Sequence, residues 1–314
     1  MRDVRIVFMG TPDFAVGTLD ALLKANINVV GVITAPDKPA GRGRKIQQSA
    51  VKEYAVQANL PILQPTNLKD ESFITDLKNL NANLQIVVAF RMLPKVVWQM
   101  PKLGTFNLHA SLLPDYRGAA PINWAIINGE SKTGVTTFFI DEKIDTGTII
   151  LQKELAIEST EIVGQLHDKL MVLGSQLVVE TVKLIAENKV ETKKQPENDL
   201  KLAPKLFTET CQIDWNKNTS EIFNLIRGLN PYPAAWTTLI NGSETIKVKI
   251  FDIQQEICPT MLSPGSIVFN KLELKVSTVD GFIKIESLQL AGKRKMDTKS
   301  LLNGFDFELD SKMI

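Results

Sequence analysis

The stretch VRIVFMGTPDFAVGTLDALLKANINVVGVIT, residues 4–34, decides the fold. Val4–Met9 is apolar but for Arg5 and ends in Gly10-Thr11-Pro12-Asp13, and a helical pattern then runs through Leu19, Leu22 and Leu23. Asn28–Thr34 is a second apolar run of strand length. Strands covered on both faces lose the in-out alternation, and a helix joining two of them is a βαβ unit, which implies a parallel sheet. Gly10 is the only glycine at the turn, and Pro12 stands where a dinucleotide fingerprint needs glycine. Neither GxGxxG nor GxxxxGK[ST] is present, so Gly10 reads as the turn that feeds the strand into its helix.

The pattern continues outward from this unit. Residues 35–48, APDKPAGRGRKIQQ, form a Gly- and Pro-punctuated loop, followed by a helix over 49–59, a short strand at 61–64 and a helix over 71–80. Leu84–Phe90 is a third apolar strand, closed by Arg91-Met92-Leu93-Pro94; a short helix over 95–100 leads to a strand at Thr105–His109. Two strands, 135–140 and 148–155, flank the loop Asp141–Gly147, and a long helical periodicity covers 161–188. Residues 189–207 are charged, proline-containing and poor in apolar side chains, which marks a connector. Beyond it the character changes to a helix over 219–229 and about five short strands between 235 and 290, separated by Asn-Gly, Pro-Gly and Asp-Gly turns. The expected organisation is α/β: a mostly parallel Rossmann-like sheet in a catalytic domain (1–188), a linker (189–207) and a small OB-like β-barrel domain (208–314).

A chain of 314 residues with 44% hydrophobic and 23% charged content has the material for two ordinary globular cores. A net charge of +1 excludes a globally basic nucleic-acid binder but permits a local basic patch. Cys211 and Cys258 are far apart and show no metal-ligand spacing, so reduced thiols, no metal and a cytoplasmic location are expected. No apolar run approaches the ~20 residues of a membrane helix, and the N-terminus does not read as a signal peptide. A monomer without membrane association is the expectation.

Two histidines are present. His167 sits inside the long helical pattern and reads as an ordinary helix residue. His109 differs: Asn107, two residues earlier on a strand, shares its face, and the strand ends in a loop, where open α/β sheets bind ligands. Asp145 lies in the second conspicuous loop, before Thr146-Gly147. If that loop folds over the strand end, a carboxylate stands beside an imidazole and favours imidazolium. Imidazolium and the Asn107 amide then stabilise an oxyanion at a tetrahedral centre, which is acyl-transfer chemistry. Ser111 has no nucleophile elbow around it and reads as a structural or ligand-contact residue.

Six segments carry a resemblance to a known family: GTPDFA at 10–15, PDKPAGRGRK at 36–45, FNLHASLLPDYRGAAPINWAI at 106–126, TGVTTFFIDEKIDTG at 133–147, LAPKL at 202–206 and IRGLNPYPAAW at 226–236. Together they resemble the folate-dependent formyltransferases over essentially the whole chain, and the basic loop with the C-terminal domain points to the tRNA-directed branch. The resemblance implies formyl transfer from 10-formyltetrahydrofolate, a co-substrate, to the methionyl amine of initiator tRNA, without metal. It assigns Asn107, His109 and Asp145 as the catalytic set and Ser111, Leu112, Leu113 and Pro114 as folate contacts, with Phe90, Met92 and Leu93 on the pterin wall. One departure stands out after the third strand, where family members carry a Tyr-Gly turn and this chain has a shorter turn with Arg91.

Lys38, Arg42, Arg44 and Lys45 place four cations within eight residues, which suits phosphate contact as well as a solvated loop. The resemblance implies contact with the tRNA acceptor stem. Lys293 and Arg294 are a second candidate phosphate contact. Two other readings stand beside this one. The chain is a formyltransferase for glycinamide ribonucleotide or an amino sugar, or it is a non-catalytic RNA-binding protein, which would not require the Asn107/His109/Asp145 set.

Overall fold

The structure, a computed structural model, describes residues 2–40, 45–197 and 200–314. It forms two compact units. The first comprises residues up to Gly118, Thr133–Ala156 and His167–Leu202; the second comprises Ala119–Lys132, Ile157–Leu166 and Ala203–Ile314.

The first unit contains β1 (Ile6–Gly10), α1 (Asp13–Lys24), β2 (Val29–Ile33), β3 (Lys38–Ala40), β4 (Lys45–Gln47), α2 (Ala50–Gln57), β5 (Ile62–Leu63) and α3 (Glu71–Asn79). It continues with β6 (Leu84–Val88), α4 (Lys95–Trp98), β7 (Thr105–His109) and β8 (Arg117–Gly118), then β9 (Lys132–Phe139) and β10 (Ile149–Ala156). α5 (Pro121–Ile127) falls in the second unit, and α6 (Val163–Glu187) begins there and runs on into the first.

Seven strands form the central sheet in the order β10-β9-β7-β6-β1-β2-β5. The β1–β2, β1–β6, β2–β5 and β6–β7 pairings are parallel, and β9 runs antiparallel to β7. The chain winds outward from β1 through β2 to β5, then returns to β6 on the other side. This leaves a topological switch between the carboxyl ends of β1 and β6, where such sheets receive ligands. Ile6, Val7, Phe8 and Met9 are fully buried. Each contributes roughly 1.5–3 kcal/mol by leaving water, which is why the run forms a central strand despite lacking alternation.

Helix ends follow from local chemistry. Ser49 caps α2 by accepting from Lys52 N at 3.0 Å, and Asp70 caps α3 by accepting from Ser72 N at 2.9 Å. The third apolar strand stops at Val88 rather than Phe90, because Ala89 takes a left-handed φ of 47° that no ladder accommodates. Part of the expected 35–48 loop is strand: β3 and β4 pair antiparallel as Lys38↔Gln47, Pro39↔Ile46 and Ala40↔Lys45. Proline in β3 masked that ladder in the sequence pattern.

The second unit holds α5, β11 (Leu202–Ala203, at the boundary), α7 (Thr219–Leu229), β12 (Ala235–Asn241), β13 (Glu244–Ile250), β14 (Ile253–Ile257), β15 (Ile267–Phe269) and β16 (Leu274–Ser277). β17 (Gly281–Ile285), β18 (Ser287–Leu290), β19 (Met296–Asp297), α8 (Thr298–Leu302) and β20 (Lys312–Met313) complete it. Its strands make two antiparallel sheets, β19-β18-β13-β12-β20 and β14-β17-β16-β15. Two strands expected to be continuous, 245–254 and 282–290, each break into two and change sheets. The break has a physical cause at Asp252, whose carboxylate gathers Ser287 Oγ, Lys295 Nζ at 2.9 Å and Asn230 Nδ2 at 3.2 Å. Burial pushes the Asp252 carboxyl up, but these donors outweigh it and hold the group below its usual range. A charged side chain that collects partners from three segments cannot stay in a regular ladder.

Gly10 is the tightest joint of the first sheet. A Cβ there would lie 2.5 Å from Ala15 Cβ and 3.1 Å from the Val88 carbonyl. Gly10→Ala should therefore destabilise the protein by about 1–3 kcal/mol. Denaturant melts should show a lower midpoint at unchanged slope, and an unchanged midpoint would refute the packing argument.

Candidate active site

Strand β7 carries Asn107 and His109 on one face, paired in register with Val87 and Phe138 (Asn107) and with Thr136 (His109). His109 lies at the carboxyl end of the strand and is only 6% exposed. Its Nε2 lies 2.8 Å from the Tyr116 carbonyl oxygen. A carbonyl only accepts, so Nε2 carries a proton and donates. That leaves Nδ1 as the nitrogen that gains or loses the second proton. Nδ1 faces the Asp145 carboxylate, with Oδ2 at 3.8 Å. This is ion-pair range but longer than a hydrogen bond.

Asp145 reaches this position by a return path. Because β9 is antiparallel, the 141–147 loop starts where Ile140 N donates to the Thr105 carbonyl at 2.9 Å, at the far end of β7 from His109. The loop then doubles back and brings the carboxylate to the imidazole. Asp145 takes a φ of 56°, and its Oδ2 accepts the Gly118 N–H at 3.0 Å. Gly147 closes the loop against the sheet: a Cβ there would lie 1.6 Å from the Phe139 carbonyl oxygen. Asn107 is half-buried, and its Oδ1 is buried with no hydrogen-bond partner among the described residues.

The Ser111-Leu112-Leu113-Pro114 loop follows β7 directly and is tied to β9. Thr136 Oγ1 donates to the Ser111 carbonyl at 2.7 Å, accepts from Leu113 N at 3.1 Å, and also accepts from Gln152 Nε2 at 3.0 Å. Ser111 Oγ donates to the Asp115 carbonyl at 2.7 Å, so its hydroxyl is engaged within the loop. Leu113 packs with Phe138 and Ile149, Leu112 lies over Gly134, and Pro114 is half-buried. The turn after β6 begins beside His109, since Val88 pairs with Leu108. Phe90 is half-buried under the Arg91 guanidinium at 5.6 Å, Leu93 is in the core, and Met92 is 70% exposed. Arg91 itself is fastened by donating to the Pro65 carbonyl and, at 2.9 Å, to the Thr66 carbonyl.

The basic residues fall elsewhere. Lys38 is exposed in β3, and Lys45 begins β4; Arg42 and Arg44 lie outside the described residues. At the base of this hairpin, Asp37 accepts from Lys52 Nζ at 2.5 Å and Gln64 Nε2 at 2.8 Å. The Lys52 ammonium, helped by Gln64, holds the Asp37 carboxyl below its usual range. Lys293 and Arg294 are exposed in the second unit, while Lys295 pairs with Asp252. Among the described residues no group of His, Cys, Asp and Glu is arranged to hold a metal ion, and no helix is long and apolar enough to cross a membrane.

Sequence reasoning left out four side chains that surround this centre: Arg117, Thr136, Gln152 and Gln195. Gln195 is 4% exposed and touches both Arg117 and the Asp145 loop. It sits in the charged stretch read as a connector, where no periodicity marks a buried position. Arg117 was visible only as part of a motif.

A strand-end histidine faced by a carboxylate, with an amide oxygen buried on the same strand face, has the geometry that acyl transfer requires. The chain belongs to the formyl transferase family, whose model matches residues 4–182, and the family's C-terminal domain matches residues 205–306. It is 60% identical over 314 residues, covering 100% of both chains, to the methionyl-tRNA formyltransferase of Flavobacterium johnsoniae. It is 56% identical over 318 residues to that of Bacteroides fragilis, covering 99% of this chain and 98% of the relative. Among solved structures, the sugar 3N-formyl transferase WlaRD, in the presence of dTDP and 5-N-formyl-THF, superimposes with a TM-score of 0.66. That match is 23% identical and covers 94% of this chain and 100% of the other, so it shows the shared fold.

Gly147→Ala tests the loop geometry. The added methyl has to displace the loop from Phe139, and a shift of about 1 Å at a catalytic group costs on the order of 10²-fold in rate. Steady-state kinetics should show kcat falling by that order, and a wild-type kcat would contradict the placement of Asp145.

Proposed function

We propose that this chain transfers the formyl group of 10-formyltetrahydrofolate to the α-amino group of methionine on initiator tRNA, producing N-formylmethionyl-tRNA for translation initiation. The observation that carries this reading is the 60% identity, over both full lengths, with a methionyl-tRNA formyltransferase. The chain acts in the cytoplasm as a monomer. Residues 1–188 supply the chemistry, 189–207 connect, and 208–314, closing as an OB-like barrel, contribute to tRNA contact through Lys293 and Arg294.

In this scheme the methionyl amine is the nucleophile, so no covalent enzyme intermediate and no metal enters. A new C–N bond forms from the amine to the formyl carbon as the bond from that carbon to the folate nitrogen breaks. The amine gives up a proton and the folate nitrogen takes one. Asn107 Nδ2 donates to the formyl oxygen as it gains negative charge, and Asn107 Oδ1, buried without a partner among the described residues, accepts an N–H of the incoming amine. An unpaired buried acceptor costs roughly 1–3 kcal/mol, and such a cost is tolerated where a ligand supplies the donor. His109, anchored through Nε2, places positive charge near the developing oxyanion, with its mobile proton on Nδ1. Asp145 stabilises that charge and relays the amine proton. The Ser111–Pro114 loop and the Phe90–Leu93 turn line the folate side. Lys38, Arg42, Arg44 and Lys45 meet the acceptor stem.

With 10-formyltetrahydrofolate as donor, the purified chain should formylate methionyl initiator tRNA and leave glycinamide ribonucleotide and dTDP-linked amino sugars untouched; the reverse preference refutes the assignment. His109→Ala should lower kcat by at least about 10²-fold in a folded protein. Arg42→Ala should raise KM for the tRNA several-fold with KM for the folate unchanged, and its effect should grow with salt. Unaltered tRNA kinetics would remove the basic hairpin from recognition.

A further inference from the structure

The Asp145 loop has few anchors of its own. Residues 141–144 are exposed: Lys143 N and Thr146 Oγ1 both donate to Asp141 Oδ1, at 3.0 and 2.7 Å, and the Glu142 side chain pairs with Lys95 at the surface. The bonds that tie the backbone of the catalytic end of this loop to another segment come from Gln195. Its Nε2 donates to the Asp145 carbonyl at 3.0 Å and to the Gly147 carbonyl at 2.7 Å. Its Oε1 accepts from Arg117 Nε at 3.1 Å and Arg117 Nη2 at 2.7 Å. Both donors and the acceptor oxygen of one buried carboxamide are thus in use. Arg117 stands between Tyr116, whose carbonyl receives His109 Nε2, and Gly118, whose N–H binds Asp145 Oδ2.

We propose that Gln195 is a positioning residue for the reaction, fixing the Asp145 carboxylate opposite His109 Nδ1 through the Arg117–Gln195 clamp. This rests on the reading of Asn107, His109 and Asp145 as the reacting set. Only a neutral carboxamide meets the demands of the place. Its nitrogen supplies two N–H groups to two carbonyls while its oxygen accepts the guanidinium. Glutamate keeps the Arg117 partner but turns an oxygen toward two carbonyls and sets a second carboxylate close to Asp145. An apolar residue removes both ends of the clamp.

The test uses the full chain with Gln195→Glu, Gln195→Leu and Arg117→Lys, measured by kcat and by KM for each substrate, by melting temperature, and by NMR of the histidine rings. Only His109 and His167 contribute ring signals, and His167 packs on Phe14 within the same unit, so it serves as internal reference. Both Gln195 variants should lose about 10- to 100-fold in kcat with KM for both substrates within about twofold. The His109 signals should shift while those of His167 stay in place. Arg117→Lys, which keeps one donor, should move kcat and the His109 signals the same way by a smaller amount; it decides the matter if a Gln195 variant does not fold. A folded Gln195→Glu with kcat within about twofold of wild type and unmoved His109 signals would overturn the proposal, as would a rise in KM at constant kcat. If His109→Ala itself turns over normally, the reading of the reacting set has failed. If His109→Ala is inactive and the Gln195 variants are normal, only the clamp has failed.

Discussion

The hydrogen bond from His109 Nε2 to the Tyr116 carbonyl is the constraint on which the rest of the centre depends. It makes Nε2 the donor to that carbonyl, and so sets which edge of the ring meets Asp145. For the carbonyl to point there, the chain must turn sharply after Leu113-Pro114, and Tyr116 takes a φ of 62° to do so. The residues on either side of that carbonyl then contribute their own bonds, Gly118 to the carboxylate and Arg117 to Gln195. Three consecutive residues therefore hold His109 and Asp145 in place, one through a carbonyl, one through a side chain and one through an N–H.

Strain and unmet hydrogen bonding gather at the same place. Ala89, Tyr116 and Asp145 all adopt left-handed backbone conformations, each costing about 1 kcal/mol or more for a residue with a Cβ. Asn107 Oδ1 adds a buried acceptor without a partner among the described residues. Such costs persist only where a well-packed frame over-determines the local geometry. The frame here is the seven-stranded sheet, whose central side chains Phe8, Phe106 and Phe138 are fully buried. The stability lost at the strand ends is small beside what those buried rings provide, so the ends can be shaped for chemistry rather than for repose.

The sheet was legible because its strands are uninterrupted apolar runs, and the strand-end pair was legible because β alternation puts Asn107 and His109 on one face whatever the rest of the chain does. Asp145 was visible as a suspect loop residue, although its approach from the far end of β7 depends on β9 being antiparallel, which no local pattern encodes. Other features left no trace for the same kind of reason. The corner at Asp252 lies inside a run that reads as a single strand, because a carboxylate's partners in space are not its neighbours in sequence. The segment that holds β3 and β4 contains a proline and four basic residues and so reads as a loop. Gln195 is buried for its hydrogen bonds alone, and a polar residue in a charged stretch gives no hydrophobic signal.

A protein of net +1 can still carry a local cationic segment of the kind proposed to meet a phosphate backbone. Residues 35–48 contain one acidic residue, Asp37, among Lys38, Arg42, Arg44 and Lys45. Left free, Asp37 would pair with one of those cations and cancel part of their field. Both of its oxygens are instead occupied by Lys52 and Gln64 from outside the hairpin, and its carboxyl is held low, so it stays ionised and engaged below the usual carboxylate range. As pH falls through that depressed value the anchoring is lost. The same pair fastens the base of the hairpin to α2. One partly buried ion pair thereby fixes the root of the proposed tRNA contact.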